Sequence, residues 1–306
     1  MPRMKPEQLQ EVVCRLLPGM VVDQVVRPSG QRVVYFAHFE APADKSYIGW
    51  GRVVVKVTEE LNPKQVAYLQ KEIEILRELN SSYYPKLYRD DVFTHHPETE
   101  DPLTHRIFLT IEERVAARPL SECMDGYRTE SAVAGLLFQL IDGLSLLWAH
   151  KDKLIHRDIK PDNILIKPDG SIVIIDLGLL REEGAPGLTA QDAPWGPCTP
   201  AYASPEQAKN EKDLITFKSD FFSLGTVVYE LLTGSNPFYT EEGLSREEVL
   251  DNVISLELRP LADIGKATKV FSDVIERLLK KEPYARFRTI QAFKDALTRT
   301  QERGDE

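Results

Sequence analysis

Cysteine is scarce in this 306-residue chain: Cys14, Cys123 and Cys198 are the three present, widely spaced and odd in number. That pattern excludes a disulfide framework and a metal knuckle, and it suits a reducing, cytoplasmic setting. A surplus of basic charge is also lacking. The 38 Lys and Arg are outnumbered by 48 Asp and Glu, a formal net charge of -10. Nucleic acid is therefore not an expected partner. No run approaches the ~18 apolar residues of a membrane span. The most apolar helix-like stretch, around Val227 to Leu232, is short and interrupted by Glu230. Met1 to Gly19 mixes charges with Leu and Val, which does not read as a leader. Internal repeats and low-complexity tails are missing too. What is there is an ordinary globular composition, 42% hydrophobic and 28% charged. A chain of this length can bury a sizeable core as one large domain or two modest lobes.

The pattern along the chain changes near residue 117. Before it, Pro6 to Leu17 reads as a short amphipathic helix stopped by Pro18-Gly19. Val21 to Phe39, Arg52 to Val57, Leu87 to Phe93 and Ile107 to Ile111 are β-branched or aromatic runs that predict strands. Val66, Leu69, Ile73, Leu76 and Leu79 recur at helical spacing within Lys64 to Leu79. His95 to His105 reads as a polar loop. After the change, Glu130 to Ala149, Ser219 to Leu232, Arg246 to Leu256, Lys269 to Lys280 and Ile290 to Thr300 are helical by pattern. Ile164 to Ile166 and Ile172 to Ile175 predict a hairpin around Pro168-Asp169-Gly170. Arg181 to Pro200 is rich in Gly, Pro and Thr and reads as a long loop. A strand-rich part thus precedes a helix-rich part, with the natural hinge near Glu112 to Pro119, and a ligand cleft between two such lobes is expected.

The chemistry concentrates in His156-Arg157-Asp158-Ile159-Lys160-Pro161-Asp162-Asn163 and in Asp176-Leu177-Gly178. Asn163 and Asp176 flank the hairpin, which brings its ends together. Both are oxygen donors, the ligand type of hard cations such as magnesium, which take few protein ligands beside substrate phosphates. Asp158 is placed to accept a proton from an attacking hydroxyl. Lys160, two residues on, can offset charge on a phosphoryl group in transfer.

These residues resemble the eukaryotic-like serine/threonine protein kinase family of the bacterial type, over about Val21 to Thr300. His156 to Asn163 is similar to its catalytic loop, Asp176-Leu177-Gly178 to its metal-binding tripeptide with Leu for Phe, and Ser204-Pro205-Glu206 to the end of its activation segment. The resemblance implies an α+β, bilobal protein kinase fold. Residues 1–20 would form a helical extension, and the kinase domain would cover 21–303. Its small β-rich N-lobe with one main helix would run over about 21–113, and its larger helical C-lobe over about 117–303. It further implies catalysis by Asp158, Lys160 and Thr199 and a metal held by Asn163 and Asp176. Support would come from His156, Arg157, Asp220, Glu206 and Arg286, the last two as an ion pair. Lys56, in Val53-Val54-Val55-Lys56, would hold the ATP phosphates and pair with Glu72. Glu74 competes for that place, but it lies about 200° around the helix from Glu72.

Other implied ATP contacts are Gly30, Val34, Ile111, Glu112 and Arg114. Ile111 would line the back of the adenine pocket, with Glu112 and Arg114 offering backbone groups. A one-residue shift would put Glu112 there instead. The segment Arg27 to Tyr35 departs from the family by holding one glycine, Gly30, where three are usual. Cys198 replaces the glycine before Thr199, and is read as a buried small residue ahead of a redox switch. Thr189 is the implied phosphosite, which Arg157 would pair with and so order the loop. The implied cofactors are ATP and Mg2+, with Mn2+ as a substitute. The implied partners are protein substrates of unknown identity, including a second copy in a homodimer for trans-autophosphorylation. An ATP-binding pseudokinase scaffold and a small-molecule phosphotransferase are the competing readings.

Overall fold

The computed structural model describes residues 4–29, 32–42, 45–59, 63–95, 99–184 and 198–302. The chain divides after Ala116 into two compact units. In the first, helix α1 (Pro6–Leu16) precedes strands β1 (Met20–Ser29), β2 (Arg32–Phe39) and β3 (Arg52–Glu59). Helix α2 (Pro63–Glu78) and strands β4 (Leu87–His95) and β5 (Pro102–Glu113) follow. The strands form one antiparallel sheet in the order β1-β2-β3-β5-β4.

Side chains alternate across that sheet, as a two-residue period requires. On one face Tyr35, Ala37, Val53, Val55, Val57, Ile107, Leu109 and Ile111 are buried with Leu9, Val13, Leu16 and Leu17 from α1 and its end. Each fully buried Leu or Val contributes about 1.5–3 kcal/mol. The N-terminal helix, expected as an extension, is thus part of the first unit's core. On the other face Phe108 meets Leu69, Val66 and Ile73 of α2. The polar stretch expected to be a loop up to His105 is shortened. β5 already begins at Pro102, opposite His95, and His105 is buried. Strand pairing with β4 carries those polar residues beyond the apolar run that marked the strand.

In the second unit a short strand β6 (Arg118–Pro119) leads to α3 (Glu130–Trp148), which Thr129 caps by accepting from the Ala132 N–H. Short strands β7 (Leu154–Ile155), β8 (Ile164–Ile166), β9 (Ile172–Ile174) and β10 (Arg181–Glu182) follow. Then come α4 (Pro205–Ala208), α5 (Phe217–Thr233), α6 (Arg246–Ser255), α7 (Lys269–Leu278) and α8 (Ile290–Glu302). Strand β8 lies between β6 and β9, and β10 pairs with β7. Thr216 caps α5, and Gly234, at φ 95°, ends it in the left-handed region that glycine enters without strain.

One expectation fails here. Helix α3 has 19 residues and a mean hydropathy of 1.5, so by length and composition it could cross a membrane. Its Val133, Leu137, Leu140, Ile141, Leu144 and Leu147 are buried, and it packs against α5 and α8, so it is the core helix of its unit.

Candidate active site

The β8–β9 hairpin sets the geometry. Ile164 faces Ile174, and beyond that pair the Ile175 N–H donates to the Asn163 carbonyl at 2.9 Å. Asn163 and Asp176 therefore leave adjoining ends of one hairpin. The turn closes through Gly170, whose φ is 81°, with Ser171 donating to the Asp169 carboxylate at 2.9 Å. Asp176 itself has φ 66° and Arg157 φ 70°. Left-handed backbone at a non-glycine residue costs of order 1 kcal/mol and persists only where surroundings enforce it. At Asp176, Oδ1 accepts from the Gly178 N–H at 3.2 Å.

The Asp158 carboxylate is buried and held by three donors. Thr199 Oγ1 donates to Oδ1 at 2.6 Å. Lys160 Nζ lies 2.9 Å from Oδ2, and Asn163 Nδ2 donates to the same oxygen at 3.0 Å. Lys160 also donates to Thr199 Oγ1 at 2.8 Å, which fixes the hydroxyl hydrogen toward Asp158. A carboxylate offers about four acceptor positions. Three donors leave one for an incoming hydroxyl. The Asn163 amide nitrogen is also tied to the Asp158 carbonyl at 2.8 Å. Its carboxamide oxygen has no protein donor among the described residues. That oxygen and the Asp176 carboxylate are the donor types a magnesium ion takes, so the residues fit such an ion.

Asp220 braces the loop from behind. It is fully buried at the start of α5, where its Oδ1 accepts from the Arg157 N–H at 2.8 Å. Its Oδ2 accepts from the His156 N–H at 3.0 Å and from Trp148 Nε1 at 2.8 Å. Burial pushes this carboxyl group up, against the pull of His156 and of these three donors. His156 Nδ1 accepts from the Asp158 N–H at 3.3 Å, and Gln207 Nε2 donates to the Arg157 carbonyl at 2.9 Å. Arg286 meets Glu206 through two bonds of 2.7 and 2.8 Å, both side chains buried, with Ser219 Oγ adding a third at 2.7 Å. Burial raises the Cys198 thiol above the usual cysteine range, although Arg246 opposes this. A thiol kept protonated is a poor nucleophile, in line with the structural reading of Cys198.

In the first unit, two expectations are corrected. Ile111 is fully buried on the α1 face of the sheet, so it does not line the face that carries Lys56. Lys56 stands opposite Val34 on one side and Thr110 on the other, so the β5 residue sharing its face near the strand end is Glu112. The one-residue alternative, Glu112, is the register observed. The backbone N–H of Arg114 is in any case taken by the Arg52 carbonyl at 3.2 Å, and its guanidinium lies 4.1 Å above Phe36. The second correction concerns Glu72. It takes a two-pronged pair from Arg32, at 3.0 and 2.7 Å. Lys56 Nζ instead lies 2.8 Å from Glu112 Oε2, and Thr110 Oγ1 donates to Glu112 Oε1 at 3.3 Å.

Gly30 and Thr189 lie outside the described residues. Trp148, Gln207 and Ser219 were not read from the sequence as members of this site, and Arg32, read as a solvated arginine ahead of a phosphate contact, is instead the partner of Glu72. Only Trp148 carried a signal, as a large polar-tipped aromatic at the end of an apolar helix, where its N–H needs a buried acceptor.

Comparison with known proteins identifies the family. Residues 51–297 match the family model described as protein kinase domain. Serine/threonine-protein kinase PknL of Mycobacterium tuberculosis is 42% identical over 114 residues, 37% of this chain and 27% of the relative. Serine/threonine-protein kinase PknA of Nostoc sp. is 32% identical over 196 residues, 62% of this chain and 32% of the relative. Its namesake in Corynebacterium glutamicum is 34% identical over 150 residues, 48% and 31% respectively. The chain spans about a third or less of the length of these bacterial relatives. With the family model covering most of its length, from the strand that bears Lys56 to the last helix, the chain belongs to the protein kinase family.

Proposed function

We propose that this chain is a serine/threonine protein kinase, transferring the γ-phosphoryl group of ATP to Ser and Thr hydroxyls of proteins, including a second copy of itself. The observation that carries the reading is the Asp158 carboxylate, fixed by Thr199, Lys160 and Asn163 with one acceptor position open. A Ser or Thr hydroxyl donating into that position is oriented for in-line attack, and Asp158 takes its proton as the new O–P bond forms, the γ-phosphorus bond to the β,γ-bridging oxygen breaks and ADP leaves. Lys160, beside Asp158, offsets negative charge on the group in transfer. Asn163 and Asp176 would hold the metal, magnesium with manganese as a substitute, which when bound neutralises charge on the nucleotide phosphates. Lys56 is the first unit's cation for the nucleotide phosphates. The three thiols are free, which suits a reducing cytoplasmic setting.

A protein scaffold that binds ATP without transfer is the other reading, and Asp158 separates the two. Asp158→Asn keeps the shape and removes the base. The expected result is a loss of about 10²–10⁴-fold in phosphate incorporation from MgATP into a Ser/Thr protein substrate, the usual contribution of a positioned base. Equal incorporation by wild type and variant would sink the proposal.

A further inference from the structure

The kinase reading leaves open what orients Lys56, since the helix glutamate expected to do so is engaged elsewhere. Glu72 of α2 is held by Arg32 of β2 through two charge-assisted bonds. Glu112 lies 2.8 Å from Lys56 Nζ, with both side chains largely buried, at 4% and 13% exposure. Their placement follows from the sheet. Lys56 pairs with Thr110, and Glu112, two residues further along β5, shares that face as a diagonal neighbour within reach of a long side chain. Thr110 supplies a hydroxyl to the other carboxylate oxygen.

We propose that Glu112, rather than Glu72, is the positioning carboxylate for Lys56, holding the ammonium for nucleotide phosphates from within the sheet. This rests on the phosphotransferase reading above. Lysine and carboxylate sit on hydrogen-bonded neighbouring strands, so their distance is set by the β3–β5 register and not by where α2 lies. The Arg32–Glu72 pair then has a different job, fastening α2 to β2. A shift of α2 that breaks the Arg32–Glu72 pair leaves Lys56 and Glu112 in place on their paired strands.

The test compares Glu112→Gln, Glu112→Asp and Glu72→Gln with wild type in two measurements. The first is the acetylation rate of Lys56 by acetic anhydride in the nucleotide-free chain, read by peptide mass spectrometry at a fixed pH. Removing a paired carboxylate favours the neutral amine, which is the reactive form. Glu112→Gln should raise this rate several-fold. Glu112→Asp, which keeps the charge but shortens the reach, should lie between, and Glu72→Gln should raise it less than Glu112→Gln. The second is steady-state kinetics, in which Glu112→Gln should raise the KM for ATP more than that for the protein substrate, and more than Glu72→Gln does. A larger effect of Glu72→Gln in the acetylation assay would overturn the proposal. The acetylation result does not depend on turnover. A wild-type chain that transfers no phosphate would therefore sink the kinase reading without deciding the role of Glu112.

Discussion

At the scale of single residues, the candidate site is a set of buried polar groups tied together by named donors and acceptors, with His156 Nε2 left buried and without a hydrogen-bond partner among the described residues. The Arg286–Glu206 pair shows what such a group costs when broken. Both side chains are at most 1% exposed, and Arg286 also donates to the carbonyls of Lys218, Lys280 and Lys281. Replacing Arg286 with Met leaves Glu206 charged, buried and short of its counter-ion. The expected loss of stability is about 3–5 kcal/mol, read from the urea midpoint. Adding Glu206→Gln to that variant should recover part of the loss, because the stranded charge is gone. An additive double variant would contradict the pairing. The residues of this site were legible in the sequence where one residue type has one chemical job: Asp158, Asn163, Asp176, Asp220 and Arg286 all stand in the structure as bracing or ligand-type groups. Glu112 was not, because its role depends on phase. A strand shows opposite faces at successive positions, so an error of one residue exchanged the buried core residue Ile111 for the residue facing Lys56.

Elements were read more surely than their bounds. The helices with strong three-to-four periodicity, α1, α2, α5, α7 and α8, appear within a few residues of where the pattern puts them. Strand β5 was read five residues too short at its start, because its polar first half carries no apolar run and is held by pairing with β4. What α1 packs against was not legible at all. Amphipathicity shows that a helix has a buried face, and not what buries it. In the structure that face closes the sheet opposite to α2 through Leu9, Val13, Leu16 and Leu17. Leu9→Ala should therefore cost about 2–5 kcal/mol, the usual range for a large-to-small change in a core. A thermal or urea transition that does not move would mean that α1 is dispensable to its unit. The outcome matters for the site, because α1 supports the same β3 and β5 strands that place Lys56 beside Glu112.

At the scale of the whole molecule, the two units carry different parts of the chemistry. The second holds Asp158, the proposed base, with the hairpin that carries Asn163 and Asp176 and the brace from α5. The first holds Lys56 in a sheet whose own register supplies it with a carboxylate. Both the family and the bulk of the fold were evident from the order of motifs along the chain. The measurement that bears most directly on the account is the identity of the acceptor after incubation with MgATP, by mass spectrometric mapping of every phosphorylated residue on the chain and on an added protein substrate. The account predicts phosphoserine and phosphothreonine with wild type and loss of both with Asp158→Asn. Phosphotyrosine as the main product, or the same sites at the same occupancy in the variant, would contradict it.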